Sequence, residues 1–453
     1  MHPKIILAAT TILYAGLLPT AVRADDAAAV FDGDFVVEGK YLSLDKLNAV
    51  KTPTPVIDIP QSLSIMDSQQ IADQAFTSLG DITRYTPGIS VSQGEGHRDA
   101  IVIRGNQTTA DFFIDGLRDD VQYYRPLYNL EQVEILRGAN ALLFGRGGGG
   151  GVVNRVTKRA DFSQNFTGAT ASIDTFGSVY VAGDLNLAAD DSAAFRLNGY
   201  YTSLDNHRDF FGGDAFAINP TASFRIGPDT DIMVSYEYVD DDRVVDRGVP
   251  SRTVEEGQAR PLEGFDNTFF GSPDANFTTL QAHILKSRLD HVFSSGLRAN
   301  LTAQYADYDK LYQNLFPSGS VAVSNGTFAE VELDGYRDTT DRQNLIVQGN
   351  LIGEFATGAI GHTLLAGFEY GDQDSSNSRA DNLFAQNGDD QLSIPFTDPL
   401  DIPAFSFPVL SRNRASQVEF LSFYLQDQVD VTDWLKIVAG LRFDRFDIDV
   451  ADI

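Results

Sequence analysis

From Phe162 onwards apolar and polar residues alternate along the chain. Between Val179 and Leu187 the odd positions are Val179, Val181, Gly183, Leu185 and Leu187, while the even ones include Tyr180, Asp184 and Asn186. Phe195, Leu197, Gly199 and Tyr201 alternate with Arg196, Asn198, Tyr200 and Thr202. The same rhythm returns from Ile232 to Tyr238, from Leu297 to Tyr305 and from Leu435 to Phe443. A period of two sorts residues onto the two faces of a strand. Segments of roughly 10 residues, apolar on one face and polar on the other, suit a wall with lipid outside and water inside. A soluble sandwich also alternates, with its apolar face turned inward. Two features favour the membrane wall. Short turns, near 188–192, 227–229, 294–296, 356–360 and 432–434, alternate with longer loops, near 204–214, 240–276, 312–341 and 372–414. Tyr201, Tyr236, Tyr238, Tyr305, Trp434 and Phe443 gather near strand ends, like interface girdles. The spacing predicts about 11 antiparallel strands.

The first third has another texture. Thr52-Pro53-Thr54-Pro55 reads as a stiff extended linker. A strand pair broken by Pro60 is predicted from Val56 to Ile65. Asp67 can cap a helix through about Ala75, and Ser78 a second one ending ahead of Pro87. Ile101 to Arg104 and Phe112 to Ile114 read as strands. The centre of this unit is Tyr128 to Lys158. There Val133 and Ile135 alternate with Gln132 and Glu134, which predicts a half-buried strand. Gly138 and Gly145 bracket about one helical turn, five glycines (Gly147 to Gly151) follow, and Val152 to Val156 is extended again. The predicted whole is a small α+β unit ending near Lys158 or Ala160. The glycine run satisfies G-x-G-x-x-G trivially, but a strand follows it, and no lysine comes before Lys158. A structural turn is therefore the better reading than a phosphate loop.

Composition narrows the function. The 453 residues carry a formal charge of −29, which argues against nucleic acid as a partner. There is no cysteine, so disulfides and thiolate metal sites are excluded, and none of the six histidines forms a close ligand pair. No catalytic constellation emerges, and no enzymatic activity and no resident cofactor or metal are expected. Met1 to Ala24 has the form of a secretory signal: Lys4, an apolar run from Ile5 to Leu18, then Val22-Arg23-Ala24. The run is too short for a membrane anchor. No later run is long enough for a membrane helix, so a membrane protein of this sequence would have to be a barrel.

The segment Tyr128 to Lys158 resembles the end of the plug domain of TonB-dependent outer-membrane receptors, in particular those for ferric siderophores. Tyr85-Thr86-Pro87-Gly88-Ile89, Ile103-Arg104-Gly105 and Asp111 to Asp119 match further pieces in family order. One departure is Ala139, where the family usually has proline. The resemblance implies an α+β plug domain (51–160) followed by an antiparallel transmembrane β-barrel (161–453, about 11 of 22 strands). Asp25 to Val50 would be a flexible segment holding the TonB box at Phe35, Val36, Val37, Glu38 and Gly39. That box adds as a strand to the energy-coupling protein of the inner membrane. Only 10 residues separate Ala24 from Phe35, which leaves no room for an extra periplasmic signalling domain. An open half-barrel would expose two strand edges to lipid, so a longer native chain is expected.

The resemblance also implies a ferric siderophore as ligand, with a catecholate as the candidate type, and outer-membrane lipid and lipopolysaccharide as surroundings. Plug loops facing the outer cavity would carry binding, through His97, Arg98, Arg104, Arg118, Tyr123, Tyr124 and Arg125. Guanidinium groups and tyrosine rings suit a compact aromatic trianion. The competing reading is that these arginines pair with Asp99, Asp119 and Asp120 and fix the loops. For Arg104 a structural role, holding plug to wall, is the stronger reading. Two rivals remain at this stage: a TonB-dependent importer of another nutrient (a glycan, cobalamin or haem), and a passive porin. The acidic loop residues Asp240 to Asp242, Glu255 and Glu256 sit awkwardly with an anionic ligand unless they bind divalent cations or lipopolysaccharide.

Overall fold

A computed structural model describes residues 11–14, 47–56, 59–138, 141–147, 149–255, 258–323, 328–432 and 434–453. The Phe35–Gly39 segment, and all of the leader except Thr11–Tyr14, lie outside the described residues. Strand β1 (Thr11–Tyr14) precedes an α+β unit. That unit holds β2 (Ser62–Asp67), α1 (Ser68–Asp73), α2 (Leu79–Arg84), β3 (Ile89–Val91), β4 (Ile101–Ile103) and β5 (Asn106–Thr108). It continues with β6 (Phe112–Ile114), β7 (Leu117–Arg118), β8 (Leu130–Arg137), α3 (Ala141–Phe144) and β9 (Gly151–Thr157). Both helices begin where the sequence predicts. The Asp67 carboxylate accepts from the Gln70 amide at 2.7 Å, and Ser78 and Asp81 close a capping box. Ile71, Leu79 and Ile82 from the helices meet Ile101, Ile103, Phe112, Val133, Ile135 and Val153 in one buried core.

Two local expectations change and a third holds. The predicted strand pair over 56–65 is a single strand, β2, because the backbone closes tight turns just before it. Ile59 donates to the Val56 carbonyl at 3.2 Å and Gln61 to that of Ile59 at 2.8 Å. Strand β8 is covered on both faces, not half-buried, and Glu134 is 0% exposed. Its carboxylate is satisfied by the amides of Asn48 (2.7 Å) and Ala49 (2.8 Å) and by Gln132 (2.6 Å) and Asn154 (2.9 Å). The glycine run is a close-packing turn. A Cβ at Gly150 would strike the Ile103 carbonyl, and one at Gly151 that of Leu136.

The wall is an antiparallel sheet that runs in chain order: β10 (Phe166–Ile173), β11 (Val179–Asp190), β12 (Ala193–Leu204), β13 (Gly213–Arg225), β14 (Thr230–Val244), β17 (Phe277–Val292), β18 (Arg298–Pro317), β20 (Glu330–Thr357), β21 (Ile360–Phe384), β23 (Phe405–Thr432) and β24 (Leu435–Asp452). These are the roughly 11 strands that alternation predicts. The short strands β15 (Ser251–Glu255), β16 (Gln258–Pro261), β19 (Ser320–Val321) and β22 (Leu392–Pro395) belong to the connections at one end. β1 lies antiparallel along β10, and β10 and β24 do not pair with each other. The apolar residues of the alternation face outward, among them Val181, Leu197, Leu285, Leu301, Leu421 and Phe443. Trp434, at a predicted girdle position, is 82% exposed.

Strands are longer than predicted on the loop side. β20 runs for 28 residues, β21 for 25 and β23 for 28, through much of the predicted 312–341 and 372–414 loops. Where no lipid face is needed both faces turn polar and the period of two fades, yet the ladder of backbone hydrogen bonds continues. Beyond the strand ends, Phe265, Phe270, Phe328 and Phe396 pack with Leu262, Val331 and Ile394 into a separate apolar cluster that joins three connections.

The α+β unit sits against the inner, polar face of this wall. Lys286 of β17 reaches Asp115, and Glu237 of β14 accepts from Tyr128 (3.1 Å) and Asn129 (3.0 Å). Lys51 donates to the Leu143 carbonyl at 2.8 Å and lies over the Tyr424 ring. Val121, Tyr123 and Tyr128 pack on Ala217, Val239, Ala282, Ala306 and Tyr308 of the wall. Burial pushes the Asp115 carboxyl up, but Lys286, Arg159 and the Thr157 hydroxyl outweigh it and hold the group below the ordinary carboxylate range.

Candidate functional site

Two plug loops form the apex. In the first, Ser92 donates to the Ala100 carbonyl at 2.9 Å, which closes a loop whose tip turns at Glu95 with φ 55°. The second loop, from Asp119 to Arg125, is tied to the first. The Asp99 amide donates to the Tyr123 carbonyl at 3.1 Å, and the Arg125 amide to the Asp99 carboxylate at 2.9 Å. Above them, inside the wall, is a cavity of about 540 Å³. The plug supplies His97, Arg98, Asp120 and Gln122, and the wall supplies Lys310 (β18), Asp338 and Arg342 (β20), Arg379 (β21), and Arg412 and Arg414 (β23). Five guanidinium groups and one lysine amine thus face two carboxylates. This local excess resolves the awkwardness of the chain's acidic total, because the field inside a walled cavity is set by its lining.

Sheet register assembles the cationic side. Asp338 lies directly opposite Arg379, and Arg379 directly opposite Arg412. Arg379 donates to Asp338 through a fork at 2.8 and 2.6 Å, and Arg412 through one bond at 3.2 Å. The Arg379 guanidinium also stacks 3.8 Å from the centre of the Tyr336 ring. Arg342 donates to Asp120 at 3.1 Å. The Nε donors of Arg98 and Arg412 are buried and have no hydrogen-bond partner among the described residues. Aromatic rings form the floor: His97 packs at a tilt on Tyr312 (3.9 Å between centres), and Tyr312 on Tyr336 (5.5 Å).

His97 is not a cation here. Burial and the neighbouring Lys310 push its pKa down to about 3, against the pull of Glu95. The neutral ring accepts at Nδ1 from the Lys310 amine at 2.6 Å and turns Nε2 toward Glu95, 3.7 Å away. Contact with His97 holds the Glu95 carboxyl down at about 2, aided by Arg98 and Arg247 and opposed by burial.

Of the seven plug residues that the sequence singles out, His97 and Arg98 line this cavity. Arg125 is fully buried instead. It pairs with Asp119 (2.9 Å) and Asp99 (3.5 Å) and donates to the carbonyls of Asp119 and Val121. Tyr123 donates to the same Asp119 at 2.9 Å, and Arg155 pairs with it at 2.5 Å. For Arg125 this is the loop-fixing arrangement. Arg118 ties its loop to the glycine turn through the carbonyls of Ala110, Phe144 and Arg146. Tyr124 lies under the Arg243 guanidinium, beside a second cavity against the early wall strands. Arg104 is exposed next to Gly138, away from the apex cavity.

The wall arginines escape a reading by sequence because they fall in or beside the predicted outer loops. Arg412 and Arg414 did carry a signal, since residues two apart share one face of a strand.

A stopper domain seated inside a wall that is apolar outside and polar inside defines the class: a plugged outer-membrane barrel. The chain belongs to the TonB-dependent receptors. The model of the TonB-dependent Receptor Plug Domain matches residues 55–152, and that of the TonB dependent receptor-like β-barrel matches 217–453. Proteins of this family are β-barrels of the outer membrane, and that is this protein's location. A probable TonB-dependent siderophore receptor of Acinetobacter baumannii, PiuA, is 26% identical over 90% of this chain and 57% of its own length. The catecholate siderophore receptor Fiu of Escherichia coli is 26% identical over 95% and 59%. The ferrioxamine B receptor of Salmonella typhimurium is 27% identical over 89% and 57%. The crystal structure of PiuA superposes with a TM-score of 0.81 at 26% identity, covering 91% of this chain and 61% of that one. The chain thus spans a little under two thirds of the length of the relatives it matches.

Proposed function

We propose that this chain is the plug and part of the barrel wall of a receptor that imports ferric siderophores, with further strands closing the wall. The apex cavity carries the reading. Its surplus of guanidinium groups suits a compact anionic chelate. The aromatic floor of His97, Tyr312 and Tyr336 suits ligand rings. PiuA and Fiu, named as siderophore receptors, support the same class. Iron is cargo held by the siderophore; the receptor has no resident cofactor and does no chemistry on the metal.

Met1 to Ala24 would direct export. The Phe35–Gly39 box would engage the TonB energy-coupling protein as an added strand, with the proton-motive force as the source of work. Outer-membrane lipid would cover the apolar face, and lipopolysaccharide the acidic rim around Asp240 to Asp242. Uptake of labelled ferric tris-catecholate by cells carrying the full-length receptor tests this. Deleting Phe35–Gly39 should abolish uptake and leave surface binding intact. Uptake that ignores the deletion would point to a passive porin. Uptake confined to a glycan, cobalamin or haem would move the receptor to another nutrient class.

A further inference from the structure

Asp338 is a misfit in the apex cavity, an acid among bases where an anion is to bind. It occupies the middle of the cationic side and takes three of the guanidinium hydrogen bonds there, two from Arg379 and one from Arg412. One explanation is that it positions those arginines. The geometry argues otherwise. Arg379 is held independently by stacking on Tyr336, whose hydroxyl is in turn anchored at 3.2 Å by Glu95. Arg412 is placed by strand pairing, beside a bulge where Ser411 is skipped in the register between β21 and β23. Neither side chain needs Asp338 to reach the cavity. What Asp338 does is cancel charge: Arg379 and Arg412 are like charges directly opposite each other, an arrangement that repels.

We propose that Asp338 is a specificity-determining residue, a resident counter-ion that an anionic ligand must displace from Arg379 and Arg412. The inference rests on the reading that the cavity takes an anionic iron chelate. All three side chains are between 21% and 32% exposed, so exchanging one anion for another needs no opening of the protein core. A chelate with several negative charges repels Asp338 and compensates by taking both guanidinium groups. A neutral chelate gains no such compensation and leaves the triplet closed. Asp338 thereby sets a threshold of ligand charge below which the arginines stay engaged with the protein.

The test uses the full-length receptor in detergent and two synthetic probes, a ferric tris-catecholate trianion and a neutral ferric tris-hydroxamate. Asp338→Asn keeps the shape and removes the charge, and Asp338→Ser serves as a second variant should the first fold poorly. Both should tighten trianion binding about three- to tenfold and leave the neutral probe within about twofold. Both should also steepen the salt dependence of trianion binding. Unchanged or weakened trianion binding in variants whose thermal unfolding matches the parent would overturn the proposal and make Asp338 a positioning residue. Arg342→Ala is the control for the reading beneath it. If that variant binds the trianion as well as the parent does, the cavity is not the site and both readings fall.

Discussion

The molecule holds two groups of arginines within one lumen, and they live in opposite conditions. Arg125 and Arg155 are buried in the plug around Asp119, with Asp99 and Tyr123 completing the cluster. Arg98, Arg342, Arg379 and Arg412 stand around open space and share a few carboxylates. Residue type does not separate the groups. What separates them is exposure: the Arg125 and Arg155 side chains are 0% and 2% exposed inside the plug, whereas those beside the cavity are between 19% and 32% exposed. An arginine buried against carboxylates is structural, and one that borders open space is available to a ligand. Of the positively charged or aromatic residues picked from the plug loops, those nearest Asp119 proved buried.

The largest expected effect breaks the buried side. Arg155→Ala leaves Asp119 buried with less compensation and should cost about 3–5 kcal/mol of plug stability. Amide hydrogen exchange in β8 and β9 of the full-length receptor would report it, and Arg412→Ala should leave the same amides protected. Next, Arg379→Ala should weaken binding of a ferric tris-catecholate by roughly 1.5–3 kcal/mol, about 10- to 100-fold, with the unfolding temperature unchanged. Isothermal titration beside a thermal scan makes the comparison, and a loss of both would erase the distinction drawn here.

Acidity separates the two regions by pH window. Burial pushes Asp119 up, but Arg125 and Arg155 outweigh it and hold it below the usual carboxylate range, and Asp115 is held down in the same way by Lys286. Their contribution is present above the unfolded carboxylate value near 3.9 and is lost as pH falls through the lower folded values. Asp119→Asn should flatten the acid limb of a stability–pH curve below about pH 4. His97, lowered to about 3 from 6.5, contributes stability that is full above pH 6.5 and declines as pH falls toward 3. His97→Gln should remove that slope between pH 6.5 and 5, and trianion binding should show no rise there from a His97 charge. The smallest effect is from salt. Raising ionic strength should weaken ligand binding at the open cavity and hardly touch the buried cluster, which is screened less.

Much of the architecture was legible early. Alternation reported the outward and inward faces correctly for β11, β12, β14, β18 and β24, because lipid and water impose opposite chemistry on successive residues. Asp67 and Ser78 announced helix starts, since capping is settled within three residues. Glu134 misled: a charged residue in alternation reads as solvent-facing, and only the fold brings the amides of Asn48 and Ala49 over it.

By itself, then, the chain determined its class, its two-part plan, its caps and which face of five wall strands meets lipid. These follow from neighbours a few positions apart. The tertiary structure alone decided which arginines are free to bind. Asp338, Arg379 and Arg412 meet across three strands at separations of 41 and 74 residues, and only sheet register aligns them. A shift of one residue in that register would turn the row outward, because side chains alternate between faces with a period of two.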